Sequence, residues 1–404
     1  MIKIKKAFGY IGPGFIIAAT GIGAGDMVTA TVAGANYGMG ILWAVVVGAV
    51  LKYYLNEGVA RWQLSTGSSI LEGWMAKIHP MASYYFVGYL FLWSFIVAGA
   101  LMAACGLAAH SIFPFFSVKV WGIVHSILAL SLVLWGSYKH LETIMKAFIC
   151  LMFLTIIFNL FLADIDWAQA ILSLFTPVVP TGSVKFILGM IGGVGGSVTL
   201  LSYGYWLKEK GWKGTESIKR SRIDLGIAYL FTGLFGFALV ILSAGLSPEK
   251  LSSNQMVISL SEKISETTGS MGQWIFLLGF WGAVFSSMLG VWSGIPYIFN
   301  EFVAIKKQSL LTSQKTTKSS HYRWFLIYMA IPPMVLLFLD RPVWVIIIYS
   351  IAGAFFMPFL AGTLLYLNNK IKWVSHHKNS HATNLVLLGT LLVFLYLLFS
   401  RIME

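Results

Sequence analysis

Gly21-Ile22-Gly23-Ala24-Gly25-Asp26 interrupts the first long apolar segment of this chain, and Gly192-Gly193-Val194-Gly195-Gly196-Ser197 interrupts another at the matching place in the second half. Glycine costs about 1 kcal/mol relative to alanine inside a helix. Backbone groups freed at membrane depth must find partners in protein or in a watery cavity. Apolar segments broken at corresponding points of two halves therefore point to the central site of a transporter. The first break ends in a carboxylate, Asp26, which gives that site a charged side.

The surroundings of the breaks are those of a membrane protein. The chain has 404 residues, 58% hydrophobic and 11% charged, with a mean hydropathy of +0.79. A soluble chain would be about a quarter charged. Apolar runs near the ~20 residues a bilayer demands fall at 10–36, 40–63, 82–112, 119–137, 143–163, 184–207, 225–246, 271–299, 323–340, 343–367 and 383–400. The expected fold is an all-α polytopic membrane protein of eleven spans, a single transmembrane domain over 1–404. The basic N-terminus and its apolar run read as a retained first helix, because the run continues without a small-residue cleavage site. Cys105 and Cys150 both lie in apolar spans and read as packing residues.

The net charge of +13 is sorted by side. Lys3, Lys5 and Lys6, then Lys139 with Lys146, then the run from Lys208 to Arg222, then Lys306, Lys307, Lys315, Lys318 and Arg323, then Lys370, Lys372 and Lys378 all fall on alternate connections. The opposite connections carry Asp164 and Asp166, or Glu249, Glu262 and Glu266 against Lys250 and Lys263. The connection after span two is weakly basic, with Arg61 and Lys77 against Glu72. The positive-inside rule then places the N-terminus in the cytoplasm and the C-terminus outside, with the cell membrane as the expected location. Topology and anionic lipid account for the excess charge, so no nucleic-acid partner is expected. Two five-span halves, about 10–163 and 184–367, each open on a glycine-broken span, and 383–400 is an extra helix.

Two acidic residues lie deep in these spans, Asp26 and Glu57. Asp26 can contact a cation together with carbonyls freed at the break, or cap the restarting helix. Cation contact is favoured, because serine or asparagine would cap at lower desolvation cost. Glu57 sits four residues before Arg61 on one helix face, which reads as a salt bridge more than as a coupling or gating relay. Lys52 can snorkel or pair. At the second break Gly193, Gly196 and Ser197 offer carbonyls, a hydroxyl and room for a partly hydrated ion. Hard oxygen ligands of this kind suit Mg²⁺, Ca²⁺ or Mn²⁺. Met27, Met190, His110 and His125 read as packing residues, and His376, His377 and His381 as solvated loop. No Walker A loop, H-E-x-x-H or nucleophile elbow is present, so neither an enzyme nor an ATP-driven pump is expected, and no cofactor.

Gly12-Pro13-Gly14-Phe15, the first break, Ala33-Gly34-Ala35-Asn36-Tyr37-Gly38, Ile41-Leu42-Trp43, Ala60-Arg61 and Thr66-Gly67 resemble the opening of the Nramp divalent-metal transporters. Gly189-Met190-Ile191-Gly192-Gly193 is similar to the start of that family's span six. The resemblance implies a LeuT-type fold of 5+5 inverted repeats with broken helices 1 and 6, and alternating access to a divalent cation. The departures are specific. The family's D-P-G-N is here Gly23-Ala24-Gly25-Asp26, so its aspartate has become Gly23 and its asparagine position holds Asp26. The methionine and histidine of its A-x-x-M-P-H fall on Gly196 and Val198, the acids of span three are absent from 82–112, and the span-ten glutamine gives way to small residues near Ala352 and Gly353. Loss of sulfur argues for a harder ion, and loss of the histidine and the acids argues against proton coupling.

The expected function is therefore secondary transport of a divalent metal, of the Mn²⁺, Mg²⁺ or Fe²⁺ class and hydrated or bare. Asp26 would be the charged ligand, carbonyls at Gly23 and Gly193 would assist, and Gly196 would supply space. The expected assembly is a monomer. The rivals are a LeuT-fold transporter of an organic solute such as an amino acid, and a non-transporting membrane sensor.

Overall fold

The computed structural model describes residues 12–136, 138–163, 165–193, 196–246, 256–307 and 318–403. Lys3, Lys5, Lys6, Asp164, Val194, Gly195, Glu249, Lys250 and Lys315 lie outside the described residues. Every regular element among those described is helical.

Span one is two helices, α1 (Pro13–Gly21) and α2 (Ala24–Tyr37), parted by Ile22 and Gly23. Pro13 stands in the first turn of α1, where an amide has no helical partner to lose. The chain leaves α2 through Gly38, whose φ of 62° suits glycine, and enters α3 (Leu42–Thr66). The first half continues with α4 (Pro80–Ile112), α5 (Val118–Trp135) and α6 (Tyr138–Leu162). A short α7 (Trp167–Phe175) joins the halves, capped by Asp166, whose carboxylate accepts the Gln169 N–H at 3.0 Å. Span six is broken like span one, into α8 (Val184–Gly193) and α9 (Ser202–Glu209), with a 3₁₀ turn at Val198–Leu201. Then follow α10 (Ile218–Ser243) and α11 (Met256–Lys306), which is kinked at Gly269. The rest comprises α12 (Ser320–Ala330), α13 (Pro342–Ala354), α14 (Phe356–Leu367) and α15 (His381–Met403).

Among the described residues, eight helical runs are long and apolar enough to cross a bilayer, or nine when the bent pair Ile371–His377 and His381–Tyr396 counts as one. The two spans that separate this from the expected eleven are the glycine-broken ones: the second piece of span one runs with span two in Ala24–Thr66, and the pieces of span six are each too short. The polar stretch after span seven, expected as a connector, is helical from Met256 onward.

Large apolar side chains point outward along the bundle. Trp135 and Phe161 are each 84% exposed, and Leu92, Phe175 and Leu392 are exposed too. In water such a surface would drive association; against lipid tails it is the surface a membrane helix needs. Inside, α1 and α2 are buried almost throughout. They are wrapped by α10 and α11, while α13 packs on both α8 and α4. The two breaks thus meet at the centre.

Candidate cation site between the two breaks

At the end of α1 the Ile22 N–H still bonds Ala18 O at 2.7 Å, but the Gly23 N–H turns back to Gly21 O at 2.9 Å. Two carbonyls released by this turn are satisfied by α11, where Ser287 Oγ donates to Thr20 O at 2.7 Å and Ser286 Oγ to Ala19 O at 3.4 Å. A side chain at Gly23 would run into Ser287 Oγ. Glycine is therefore required here by close approach. Gly23 is also the N-cap of α2, without a side-chain capping bond, and its carbonyl accepts the Met27 N–H at 3.0 Å. Asp26 stands instead in the first turn of α2, 2% exposed, at the positive end of the helix dipole. Its charge acts on Lys52 of α3, Tyr229 of α10 and Tyr349 of α13.

The second break abuts the first. Gly196 has a φ of 81°, and a side chain there would strike Thr199 Oγ1 and lie 3.6 Å from Gly21 Cα. The backbone conformation and the close approach both suit glycine at this position. Gly193 closes α8. Ser197 Oγ and Trp93 Nε1 would lie 2.6 and 3.5 Å from a methyl group placed on Gly353. These two atoms and Thr199 Oγ1 are buried without a hydrogen-bond partner among the described residues. α13 closes the site from the side: Thr29 Oγ1 donates to Ser350 Oγ at 3.1 Å, and a side chain on Gly25 would meet Tyr349 and Ser350 at 2.7 Å.

Lys52 does not snorkel. Its side chain is fully buried, and Nζ donates to Gly192 O at 2.6 Å and to Gly196 O. The lysine thereby occupies backbone oxygens of the second break.

Gly196, followed by Ser197, thus lies beside Gly21, which Gly23 and Asp26 follow in the chain, whereas Glu57 makes its contacts elsewhere. It pairs with Arg61 Nε at 3.0 Å and with Arg222 Nε at 2.9 Å, and Arg61 reaches on to His377 O and Asn379 Oδ1. The expected salt bridge is present and extends to α10. Met27 and Met190 lie in the apolar core. His125 uses both ring nitrogens, one toward Trp121 O at 2.7 Å and the other accepting from Trp281 Nε1 at 2.8 Å. Among the described residues, no group of three or more His, Cys, Asp or Glu side chains could hold a metal.

Asp224 is the most deeply buried of three acids that the sequence reading missed, the others being Glu142 and Glu301. It is 1% exposed and accepts the N–H of Gly12 at 2.8 Å, the N–H of Gly14 at 2.6 Å and the Tyr203 hydroxyl at 2.9 Å. One carboxylate thus ties the entry of span one to the second piece of span six. Its signal was faint: it follows Arg220 and Arg222, one residue before the apolar run drawn from 225, and so reads as part of a charged connection. Nearby, Lys208 pairs with Glu301 at 2.9 Å and Lys210 with Glu142 at 2.6 Å.

A family model described as natural resistance-associated macrophage protein-like, Nramp, matches residues 14–403. The chain belongs to the Nramp family. This Nramp chain is 23% identical to a protein named divalent metal cation transporter MntH from Caldanaerobacter subterraneus subsp. tengcongensis, across 71% of this chain and 70% of the relative. Two other curated relatives are matched over 55% and 34% of their own lengths. Its fold is that of a manganese transporter from Eremococcus coleocola, with a TM-score of 0.74 at 15% identity over 96% of this chain and 85% of that one. MhsT, solved with L-phenylalanine, shares the architecture at a TM-score of 0.55 and 15% identity, over 96% of this chain and 98% of its own. The broken helices 1 and 6 of the LeuT-type fold are therefore those found here.

Proposed function

We propose that this chain is a secondary transporter of divalent metal cations, with alternating access to a site at Asp26, and not an enzyme. The observation that carries this reading is the buried Asp26 carboxylate in the first turn of a restarting helix, just after a break that abuts the second one, in an Nramp chain. Asp26 is the charged ligand, and backbone oxygens at Gly23 and Gly193 complete its surroundings next to Gly196. Ser197 and Glu57 act in gating: Ser197 at the site, Glu57 through its ion pairs at the helix ends. No sulfur or histidine lies between Gly192 and Val198, which favours a hard ion such as Mn²⁺ or Mg²⁺. The metal is cargo. One helix bundle rocks against the rest of a fold built from repeats at 10–163 and 184–367, with 383–400 as an addition, in a monomer whose N-terminus is cytoplasmic and whose C-terminus is outside the cell membrane.

The test is uptake of Mn²⁺ and Mg²⁺ into liposomes. Asp26→Ala is expected to lower the initial rate at least about tenfold, the effect of about 1.4 kcal/mol of lost binding. Undiminished uptake by a folded Asp26→Ala protein would refute the role of Asp26. One observation favours a second reading, the lysine amine already seated on the carbonyls of the second break: with Asp26 it could hold the amine and carboxylate of an organic solute. Thermal-shift measurements with amino acids beside the two metals separate these readings.

A further inference from the structure

Metal transport at Asp26 gives Lys52 no task, yet a buried ammonium at membrane depth costs several kcal/mol and persists only where it is paired or functional. Lys52 lies between Leu51 and Tyr53 in the body of α3, with no exposed surface. It reaches Gly192 O in the last turn of α8 and Gly196 O before the 3₁₀ turn at Val198–Leu201. The Asp26 charge acts on the same group. Two backbone oxygens at an unwound helix with a carboxylate close by form the kind of donor set with which transporters of broken helices hold a small monovalent cation.

We propose that the Lys52 ammonium is a tethered monovalent cation: it fills the oxygen set of the second break that an exchangeable sodium-sized ion would otherwise take. The break thereby keeps its carbonyls satisfied without a free co-ion. A neutral side chain at this position would leave oxygens unsatisfied at membrane depth, and a small cation from solution would then replace the missing charge.

The test compares thermal unfolding of the wild type, Lys52→Ala and Lys52→Arg in sodium chloride and in N-methylglucamine chloride at one ionic strength, without divalent metal. The wild type and Lys52→Arg are expected to ignore the exchange of salts. Lys52→Ala is expected to melt about 1.5–2 °C higher in sodium at a concentration tenfold above its Kd. n-Propylammonium should restore stability to Lys52→Ala, whereas n-propanol, which carries no charge, should not. Indifference of a folded Lys52→Ala to both cations overturns the proposal, as does equal rescue by the alcohol. If Lys52→Ala does not fold, reductive methylation of the wild type followed by mass spectrometry decides: Lys52 should stay unmodified while exposed Lys185 reacts, and equal labelling overturns the proposal. None of these readouts involves divalent-metal uptake, so failure of the transport assignment would leave them unchanged.

Discussion

Replacing Asp224 by alanine strands three buried donors, the amides of Gly12 and Gly14 and the hydroxyl of Tyr203. The hydroxyl can rotate, but the two amides are fixed by the backbone. An unsatisfied buried donor costs about 1–3 kcal/mol, and taking about 1.5 for each amide gives about 3 kcal/mol against the docked start of α1. Removing a buried carboxylate also relieves its own desolvation, so the overall melting temperature mixes two opposed effects. The local measurement is cleaner. In hydrogen exchange read by mass spectrometry, about 3 kcal/mol corresponds to about 150-fold faster exchange for amides that open with this segment. The peptide covering residues 12–20 should show it, while one from α4 should not. Asp224→Asn keeps one acceptor oxygen and should fall between. Exchange at 12–20 within about threefold of the wild type would refute the idea that Asp224 holds the entry of span one.

Gly192→Ala should destabilise the protein by about 1–3 kcal/mol, because the added methyl would lie 2.5 Å from Ala354 Cβ and 2.8 Å from Ala354 Cα. Chemical denaturation measures the loss, and the second substitution Ala354→Gly should recover part of it; no recovery would show that the α8–α13 contact is not the cause. Glu57→Gln should cost about 1–3 kcal/mol, discounted from the value for a fully buried pair because the Arg222 side chain is 50% exposed. Arg61→Met alone should also destabilise, and the double substitution should fall short of the sum of the two losses, which a double-mutant cycle reads directly.

The sequence disclosed the parts of this fold that depend on composition along one helix. Span positions follow from apolar length, and the two breaks follow from glycine runs that a continuous helix would not carry. What it did not disclose depends on contacts between helices far apart in the chain. Asp26 could be read as a cap from its place after the break, but the cap is Gly23, a choice imposed by Ser287 on α11. Gly196 reads as space in the sequence, and the approach of Thr199 that also suits glycine there comes from the local fold of the break. Lys52 had two readings, and its partners lie 140 and 144 residues away. Asp224 stood one residue outside a drawn boundary, and its amide partners lie 210 and 212 residues earlier.

The nearness of Lys52 and Asp26 bears on how transport would respond to membrane voltage. With Lys52 protonated and Asp26 ionised, they carry one positive and one negative charge, and the unloaded site is electrically neutral. Its return across the membrane would move no net charge and would not feel the potential. A divalent ion bound there would add two charges, and each is worth about 2.3 kcal/mol per 100 mV when it crosses the full field. The loaded crossing alone would then be driven by voltage, by up to about 4.6 kcal/mol at 100 mV. The potential of an interior-negative cell would thus act on the loaded site and not on the empty one.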